Sequence, residues 1–195
     1  MANFTFFNST QAVPGGGSPP PEFSVSAPPS CDVWAKPPST DRFNAPILYK
    51  SVSLDAFKRA RVAFNASWKH QYDQGGLILV LNCADGTRKW VKSGIEMTHG
   101  KPHLSAVTKD RWADWSLLPV PSRGPAAVIE MVREKDNSLW VYLNEGIQKS
   151  PIREVSWVFD EQDVRDCWVG VYAAKPSSEG GDLVVNFGHL VLESL

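Results

Sequence analysis

The residues of this sequence that are best suited to chemistry are a base and an acid on one short segment, Lys92 and Glu96. Alternation predicts a strand over Lys89–Met97, with Trp90, Lys92, Gly94 and Glu96 on one face. Residues four apart on a strand are separated by about 13 Å, so each charge needs a partner from a neighbouring strand or from a ligand. Two interpretations stay open: the two side chains enter a cleft, as ligand contacts or as acid and base, or they form part of a solvated surface.

Aromatic residues alternate in the same way on two other predicted strands, Leu139–Asn144 and Cys167–Ala173. If these faces are coplanar with that of Lys92, one sheet carries a cleft lined by aromatic and polar side chains, which is typical of a small-molecule site. The alternative is that the large aromatic side chains fill the interior of a thick sandwich. Two further polar residues complete the candidate set, a glutamine that enters a glycine-rich strand and an arginine able to clamp an anion. The predicted ligand-binding residues are Gln74, Trp90, Lys92, Glu96, Arg133, Trp140, Tyr142, Trp168 and Tyr172.

Other chemistries lack their sequence patterns. The four histidines have no metal-ligand spacing, no Gly-x-Ser-x-Gly segment occurs, and phosphate-cradling loops are absent. Glycoside hydrolysis needs two carboxylates across the scissile bond, but the nearest candidate segment, Glu130–Glu134, has Val132 at its centre and runs into a turn. We therefore expect no metal and no cofactor.

Charge and hydropathy restrict the partners. The 195-residue chain has a formal net charge of -1 and no Lys/Arg-rich stripe, which argues against nucleic acid binding. Its apolar runs are much shorter than the roughly 20 residues of a membrane span. The first residues do not resemble a secretory signal, and the three widely spaced cysteines do not suggest a disulfide framework. We predict a cytoplasmic protein that binds neither nucleic acid nor membrane.

The remaining sequence is a succession of short β-branched and aromatic runs separated by turn residues, which is typical of a sandwich or barrel. Asp85-Gly86 is the strongest hairpin signal, followed by Asp136-Asn137 and Glu145-Gly146. Only 54–59 and 160–166 permit helical turns. The predicted fold class is therefore all-β, with antiparallel sheets and one or two short helical turns. Ten strands are predicted, at 47–52, 61–68, 76–82, 89–97, 103–108, 127–133, 139–144, 153–159, 167–173 and 183–192.

The N-terminal part differs in composition. Eight of the fifteen prolines lie between Pro14 and Pro38, together with three consecutive glycines, so neither a helix nor a central strand is expected there. The interspersed Phe23, Val25, Val33 and Trp34 favour a segment strapped across the domain over a flexible tether. We predict an edge strand within 1–10, an extended Pro/Gly/Ser-rich segment over 11–38, and one β-sandwich domain over 39–195.

Several segments in order resemble a known family: Tyr72-Asp73-Gln74-Gly75-Gly76-Leu77, Trp90 to Glu96, Asp110 to Ser116, and Trp168 to Tyr172. They are similar to the fungal proteins related to the regulation-of-enolase protein, a domain of unknown function in the concanavalin A-like lectin/glucanase superfamily. The resemblance covers roughly 33–193. It implies a jelly-roll sandwich of two antiparallel sheets with a concave face where superfamily relatives hold sugars, and it supplies no agreed activity.

Three functions follow as hypotheses. The first is binding of a sugar or another small, partly apolar molecule in the aromatic-lined face, with a possible extension to metabolic regulation. The second is a cofactor-free isomerase, cyclase or lyase that uses Glu96 or Lys92 as acid or base in the same cleft. The third is a protein-interaction module that regulates a metabolic enzyme through a protein partner.

Overall fold

The β-branched and aromatic runs form strands throughout the computed structural model, which describes residues 3–195. One short 3-10 turn, Pro14–Gly17, precedes the second strand. The strands are β1 Thr5–Phe7, β2 Glu22–Ala27, β3 Val33–Lys36, β4 Thr40–Phe43, β5 Ile47–Val52, β6 Phe57–Ala66, β7 Gln74–Cys83, β8 Arg88–Thr98, β9 Lys101–Lys109, β10 Ala113–Pro119, β11 Ala126–Arg133, β12 Leu139–Glu145, β13 Gln148–Val155, β14 Val164–Ala174 and β15 Leu183–Ser194. Within residues 3–195 no helix is long and apolar enough to cross a bilayer.

Two antiparallel sheets form a jelly-roll sandwich, as the family resemblance implies. The seven-stranded sheet has the order β1-β5-β14-β7-β8-β9-β10, and the six-stranded sheet has the order β13-β12-β11-β6-β15-β2. The three hairpin signals lie in the β7–β8, β11–β12 and β12–β13 connections, and all three strand pairs are antiparallel. The expected short helical turn is present, at Pro14–Gly17, but it lies at neither of the two predicted positions: Leu54–Ala56 and Val158–Asp160 are simple turns, and β6 begins at Phe57.

The main core lies between the two sheets. Gly75 on β7 faces the six-stranded sheet, because a Cβ added there would lie 2.9 Å from the Val185 side chain on β15. Ile95 and Ala173 pair with Gly75 on the adjacent strands and therefore share its inward face. Alternate residues of β7, β8 and β14 must then point away from the core.

That outward face is also covered, since almost every residue of β7 is buried. The cover is a separate two-stranded sheet, the hairpin β3–β4, whose strands pair with each other and with neither large sheet. The sequence of β7 is therefore a continuous apolar run rather than an alternation of apolar and polar residues, as expected for a strand that is buried on both faces.

The N-terminal segment belongs to the sandwich. β1 forms one edge of the seven-stranded sheet by pairing with β5, and β2 forms an edge of the six-stranded sheet by pairing with β15. The sandwich thus begins before the predicted boundary at residue 39, because the Pro/Gly-rich segment 11–38 supplies β2 and β3. Phe23, Val25 and Val33 are buried in it as anchors.

Candidate functional site

Strand register gathers polar side chains on the outward face of the seven-stranded sheet. Gln74 on β7 lies opposite Glu96 on β8, and Ser105 on β9 lies opposite Gly94, two residues from Glu96. Tyr172 on β14 is in register with Gly76, on the other side of β7. Because side chains of equal parity share one face, four neighbouring strands present these groups together.

Lys92 lies beneath this group and is only 1% exposed. Its Nζ donates a hydrogen bond to Oε1 of Gln74 and lies 5.6 Å and 5.5 Å from the ring centroids of Trp90 and Tyr172. Burial lowers the pKa of the Lys92 ammonium, while the charges of Glu96 and Asp32 act in the opposite direction. Lys92 therefore ties Gln74 to the Trp90 and Tyr172 rings from beneath the group.

The Lys92 hydrogen bond sets the orientation of Gln74. An ammonium group only donates, so the amide oxygen of Gln74 must face Lys92 and its nitrogen must point away. That nitrogen donates to Oδ1 of Asp32 and to the carbonyl oxygen of Tyr72, both at 3.3 Å. Both amide protons of Gln74 are consequently engaged.

Glu96 has its partner on the neighbouring strand, as the spacing argument requires. Its Oε2 accepts a hydrogen bond from Ser105 Oγ at 2.9 Å, and Ser105 Oγ accepts one from Trp115 Nε1 at 3.0 Å. Burial raises the pKa of the Glu96 carboxyl, and the positive charge of Lys92 opposes that rise. Oε1 of Glu96 has no partner among residues 3–195, and it is not one of the sealed, unpaired atoms.

Asp32 provides a second carboxylate from the loop before β3. Its Oδ1 accepts hydrogen bonds from the Val33 N–H at 2.8 Å and from Gln74, whereas Oδ2 has no partner in the described chain. Burial raises the pKa of the Asp32 carboxyl against the charge of Lys92. Asp32 and Glu96 thus each keep one oxygen available above the buried lysine.

These two carboxylates lie at the floor of a cavity of about 400 Å³ between the sheet and the β3–β4 hairpin, within the size range of small-molecule sites. Its walls are aromatic: the Trp115 ring meets Trp34 edge to face at 5.8 Å and Tyr72 at 6.2 Å. Tyr72 has φ of 67°, a left-handed conformation that bulky residues rarely adopt. Such outliers cluster at ligand sites, and this one holds a 41% exposed ring at the mouth.

Five of the predicted residues are brought together on this face: Gln74, Trp90, Lys92, Glu96 and Tyr172. Of these, Gln74 and Glu96 line the cavity directly, and the other three lie beneath or beside it.

Trp168 shares the same face but lies four residues along β14 from Tyr172, about 13 Å away. Its ring stacks on Tyr49 at 4.1 Å and packs against Phe7 at 5.1 Å, and its indole N–H donates to Asp166. The structure therefore gives Trp168 a packing position outside the cavity.

The expectation of one coplanar surface is wrong for Trp140 and Tyr142. Both belong to β12 in the six-stranded sheet, where they stack on each other and the Tyr142 hydroxyl donates to Glu134 at 2.9 Å. They face away from the cavity, because the alternate positions Leu139, Val141 and Leu143 are the ones buried in the core.

Arg133 is also distant from the cavity, at the end of β11. Its guanidinium donates to Asn137 and to the Asp55 carbonyl oxygen and lies 4.5 Å from the Phe159 ring centroid. These contacts replace the predicted anion clamp by a structural tie between loops.

The six-stranded sheet carries a different buried acid, Glu130. Burial opposes its ionisation, but hydrogen bonds from Lys149 and Arg59 outweigh that effect and hold the Glu130 pKa below its usual value. Because all its oxygens are engaged by cations of the protein, Glu130 serves stability.

Most residues of the site were missed from the sequence, including Lys36, Thr40, Arg42, Tyr72 and Pro176 of the cavity lining. Asp32 and Trp34 lie in the Pro-rich segment, and Ser105 is an ordinary serine on a strand. Trp115 lies in the segment Asp110 to Ser116 that carries the family resemblance, and β10, which begins at Ala113, places it on the cavity wall. In the sequence, the only indication of a role for Asp32 is that it directly precedes Val33 and Trp34, two of the apolar residues expected to fix the N-terminal segment to the domain.

Comparisons with known proteins agree with this architecture. The chain is 68% identical over 193 residues to an uncharacterized protein of Emericella nidulans, covering 99% of this chain and 96% of that one. A Saccharomyces cerevisiae protein of unknown function superimposes with a TM-score of 0.79 at 22% identity, covering 99% and 97% of the two chains.

More distant structures share the fold alone. The pseudo beta-1,3-glucanase and immunostimulatory antigen Rv0315 of Mycobacterium tuberculosis superimposes with a TM-score of 0.57 at 8% identity, over 99% of this chain and 91% of that one. The GH43 protein BlXynB of Bacillus licheniformis has a TM-score of 0.61 at 14% identity, and the match spans 89% of this chain but 33% of BlXynB. The sequence profile of the family described as "Protein of unknown function (DUF1349)" matches residues 18–194. Together with the fungal relative, this match shows that the chain belongs to the DUF1349 family.

Proposed function

We propose that this protein binds a small hydroxylated molecule of sugar size in the cavity between the seven-stranded sheet and the β3–β4 hairpin. The observation that carries the proposal is the pair of available carboxylate oxygens, on Asp32 and Glu96, at the floor of an aromatic-walled cavity. Buried polar groups normally have hydrogen-bond partners, so these oxygens suit donors supplied by a ligand.

The surrounding network favours binding because it is already assembled. Lys92 fixes Gln74, Gln74 holds Asp32, and Ser105 holds Glu96. A preorganised site loses little entropy on binding. The aromatic rings of Trp34, Trp115 and Tyr72 offer apolar area for a sugar ring, while the carboxylates accept from its hydroxyl groups. Two structural neighbours carry carbohydrate-related names, which is consistent with this ligand class.

Ligand-observed NMR with a panel of mono- and disaccharides tests the proposal. We expect saturable binding by the native protein and at least about tenfold weaker binding by Glu96→Gln and Asp32→Asn, since a good hydrogen bond to a charged group contributes about 1.5–3 kcal/mol. Trp115→Phe should also weaken binding. The matched control, Trp140→Phe, alters a half-buried tryptophan on the other sheet and should leave binding unchanged.

Melting temperatures separate binding effects from folding effects. Unaltered affinity in a folded Glu96→Gln, or equal losses in Trp115→Phe and Trp140→Phe, would contradict a site at this cavity.

A second function is favoured by one observation: Glu96 combines a raised pKa with an oxygen that faces the cavity. A carboxyl whose pKa lies nearer neutrality is suited to general acid–base catalysis, as in a cofactor-free isomerase, cyclase or lyase. The NMR spectra of a bound sugar followed over time would show turnover. Glu96→Gln would then abolish turnover while leaving measurable binding, and a constant spectrum with the native protein would exclude this chemistry for that ligand.

A role in metabolic regulation would extend the binding proposal. A sugar-dependent regulator should retain a metabolic enzyme on an affinity column, and the retained amount should change when the bound sugar is added. Loss of that change in Glu96→Gln would connect the partner to the cavity.

A further inference from the structure

The hydrogen-bonding groups at the cavity floor leave only acceptors available. Both amide protons of Gln74 are used by Asp32 and the Tyr72 carbonyl oxygen, the Ser105 hydroxyl is used by Glu96, and the Trp115 indole N–H is used by Ser105. Asp32 Oδ2 and Glu96 Oε1 remain. A ligand must therefore present hydrogen-bond donors toward the floor.

The mouth of the cavity carries cationic side chains instead of acceptor oxygens. Antiparallel register places Trp34 opposite Arg42 and Lys36 opposite Thr40, so alternate residues of the β3–β4 hairpin point into the cavity. Within residues 3–195, neither Lys36 nor Arg42 has an ion-pair partner. The hairpin acid Asp41 has the other parity and lies 3.6 Å from Lys109.

The charges are thus separated along the depth of the cavity, with acceptor oxygens at the bottom and two cations at the mouth. The Lys92 ammonium beneath the same carboxylates offsets part of their negative charge, so hydroxyl donors satisfy the floor without a cationic head. A ligand with hydroxyl groups at one end and negative charge at the other matches both regions.

On the basis of the proposed function, we propose that the ligand is an acidic sugar of monosaccharide size. Its hydroxyl groups donate to Asp32 and Glu96, its ring packs between the aromatic walls, and its carboxylate or phosphate group meets Lys36 and Arg42 at the mouth. The shared chemistry is a polyhydroxylated anion. A planar carboxylate and a phosphate both match the guanidinium of Arg42.

Matched probes test this assignment: glucose, galactose and mannose, their uronic acids, their 6-phosphates, and glucosamine, each titrated by calorimetry at low salt. For at least one sugar, the acid form should bind about tenfold more tightly than the neutral form, since two partly exposed ion pairs contribute a factor of this order. This preference should decrease at high salt. Binding of uronic acids identifies a carboxylate, and binding of 6-phosphates alone identifies a phosphate.

The double variant Lys36→Gln/Arg42→Gln changes two exposed residues and should abolish the preference for the acid, measured as the ratio of acid affinity to neutral-sugar affinity within the same variant. Its control, Lys58→Gln/Arg61→Gln, removes the same net charge from β6 on the other sheet and should retain the preference.

The two proposals fail in different ways. Equal affinity for neutral and acidic sugars, or a preference that survives in Lys36→Gln/Arg42→Gln, overturns the acidic-sugar assignment and leaves sugar binding intact. Tighter binding of glucosamine than of every acid also overturns it. Binding of none of the probes contradicts both proposals.

Discussion

Replacement of the buried lysine, Lys92→Met, is the most direct test of how the site is held together. Methionine is similar to lysine in length and is itself apolar, so the packing around the side chain is largely preserved. What is lost is the hydrogen bond to Gln74 and the positive charge next to Asp32 and Glu96. Removing one partner of a buried charge cluster typically costs about 3–5 kcal/mol, and we expect a decrease of that size in the free energy of unfolding at pH 8.

The cost should depend on pH in a defined direction. The folded-state pKa values of Asp32 and Glu96 already lie above their ordinary values of 3.8 and 4.5, and loss of Lys92 raises them further. For an acid whose pKa is raised in the folded state, stability is retained below the unfolded pKa and is lost as the pH rises through the folded pKa. At pH 4.5 much of the cost of ionising Asp32 and Glu96 in the folded protein is absent. The decrease in the free energy of unfolding caused by Lys92→Met should then be under about 2 kcal/mol, and it should come mainly from the unpaired Gln74 oxygen.

Urea unfolding monitored by tryptophan fluorescence at the two pH values measures both quantities. The control is Lys89→Met, three residues earlier on β8, where the ammonium is partly exposed and pairs with Asp110 at 2.7 Å and Glu161 at 2.6 Å. Such surface pairs contribute about 0–1 kcal/mol. An equal loss in Lys92→Met at pH 4.5 and pH 8, or a loss no larger than that of Lys89→Met, would refute the role of Lys92 as counter-charge.

Three other predictions concern the scaffold. Glu130→Ala should lower the free energy of unfolding by about 1–3 kcal/mol at neutral pH, since Lys149 loses its carboxylate while Arg59 keeps Glu193 at 2.7 Å. Because the Glu130 pKa is lowered, this loss should shrink as the pH falls below 4.5, and a pH-independent loss would contradict the prediction. Gly94→Ala should lower the free energy of unfolding by about 3 kcal/mol or more, because the added Cβ would lie 1.9 Å from the Gly75 carbonyl oxygen. In the control, Gly181→Ala, the added Cβ meets no atom within 4 Å, so the melting temperature should stay unchanged. Burial raises the pKa of the Cys167 thiol to about 12, so a disulfide reagent should label it only after denaturation, and rapid labelling of Cys167 in the native protein would disprove its burial.

Strand parity was the feature that could be predicted best. The alternation in β8 and β14 correctly placed Trp90, Lys92, Glu96 and Tyr172 on one face, because the two-residue period of a strand is set by the local backbone. The argument that Lys92 and Glu96 need partners from neighbouring strands was also confirmed, with Gln74 and Ser105 as those partners.

The same alternation failed for Trp140 and Tyr142. Their strand has the same pattern as β14, but it joins the six-stranded sheet. Sheet membership depends on pairing between distant segments, which leaves no mark on the period of either strand. Local pattern therefore cannot tell two outward faces of one sandwich apart.

The amino-acid sequence by itself determined that this protein is an all-β sandwich, where most of its strands and hairpin turns lie, and which side chains share a face on each strand, since all of these follow from short-range backbone geometry. Only the tertiary structure decided that the Pro-rich segment folds back as the hairpin β3–β4. That hairpin brings Asp32 to Gln74, 42 residues away in sequence, and so converts an open sheet face into a cavity. Contacts over such distances depend on how the whole chain packs, and no local spacing encodes them.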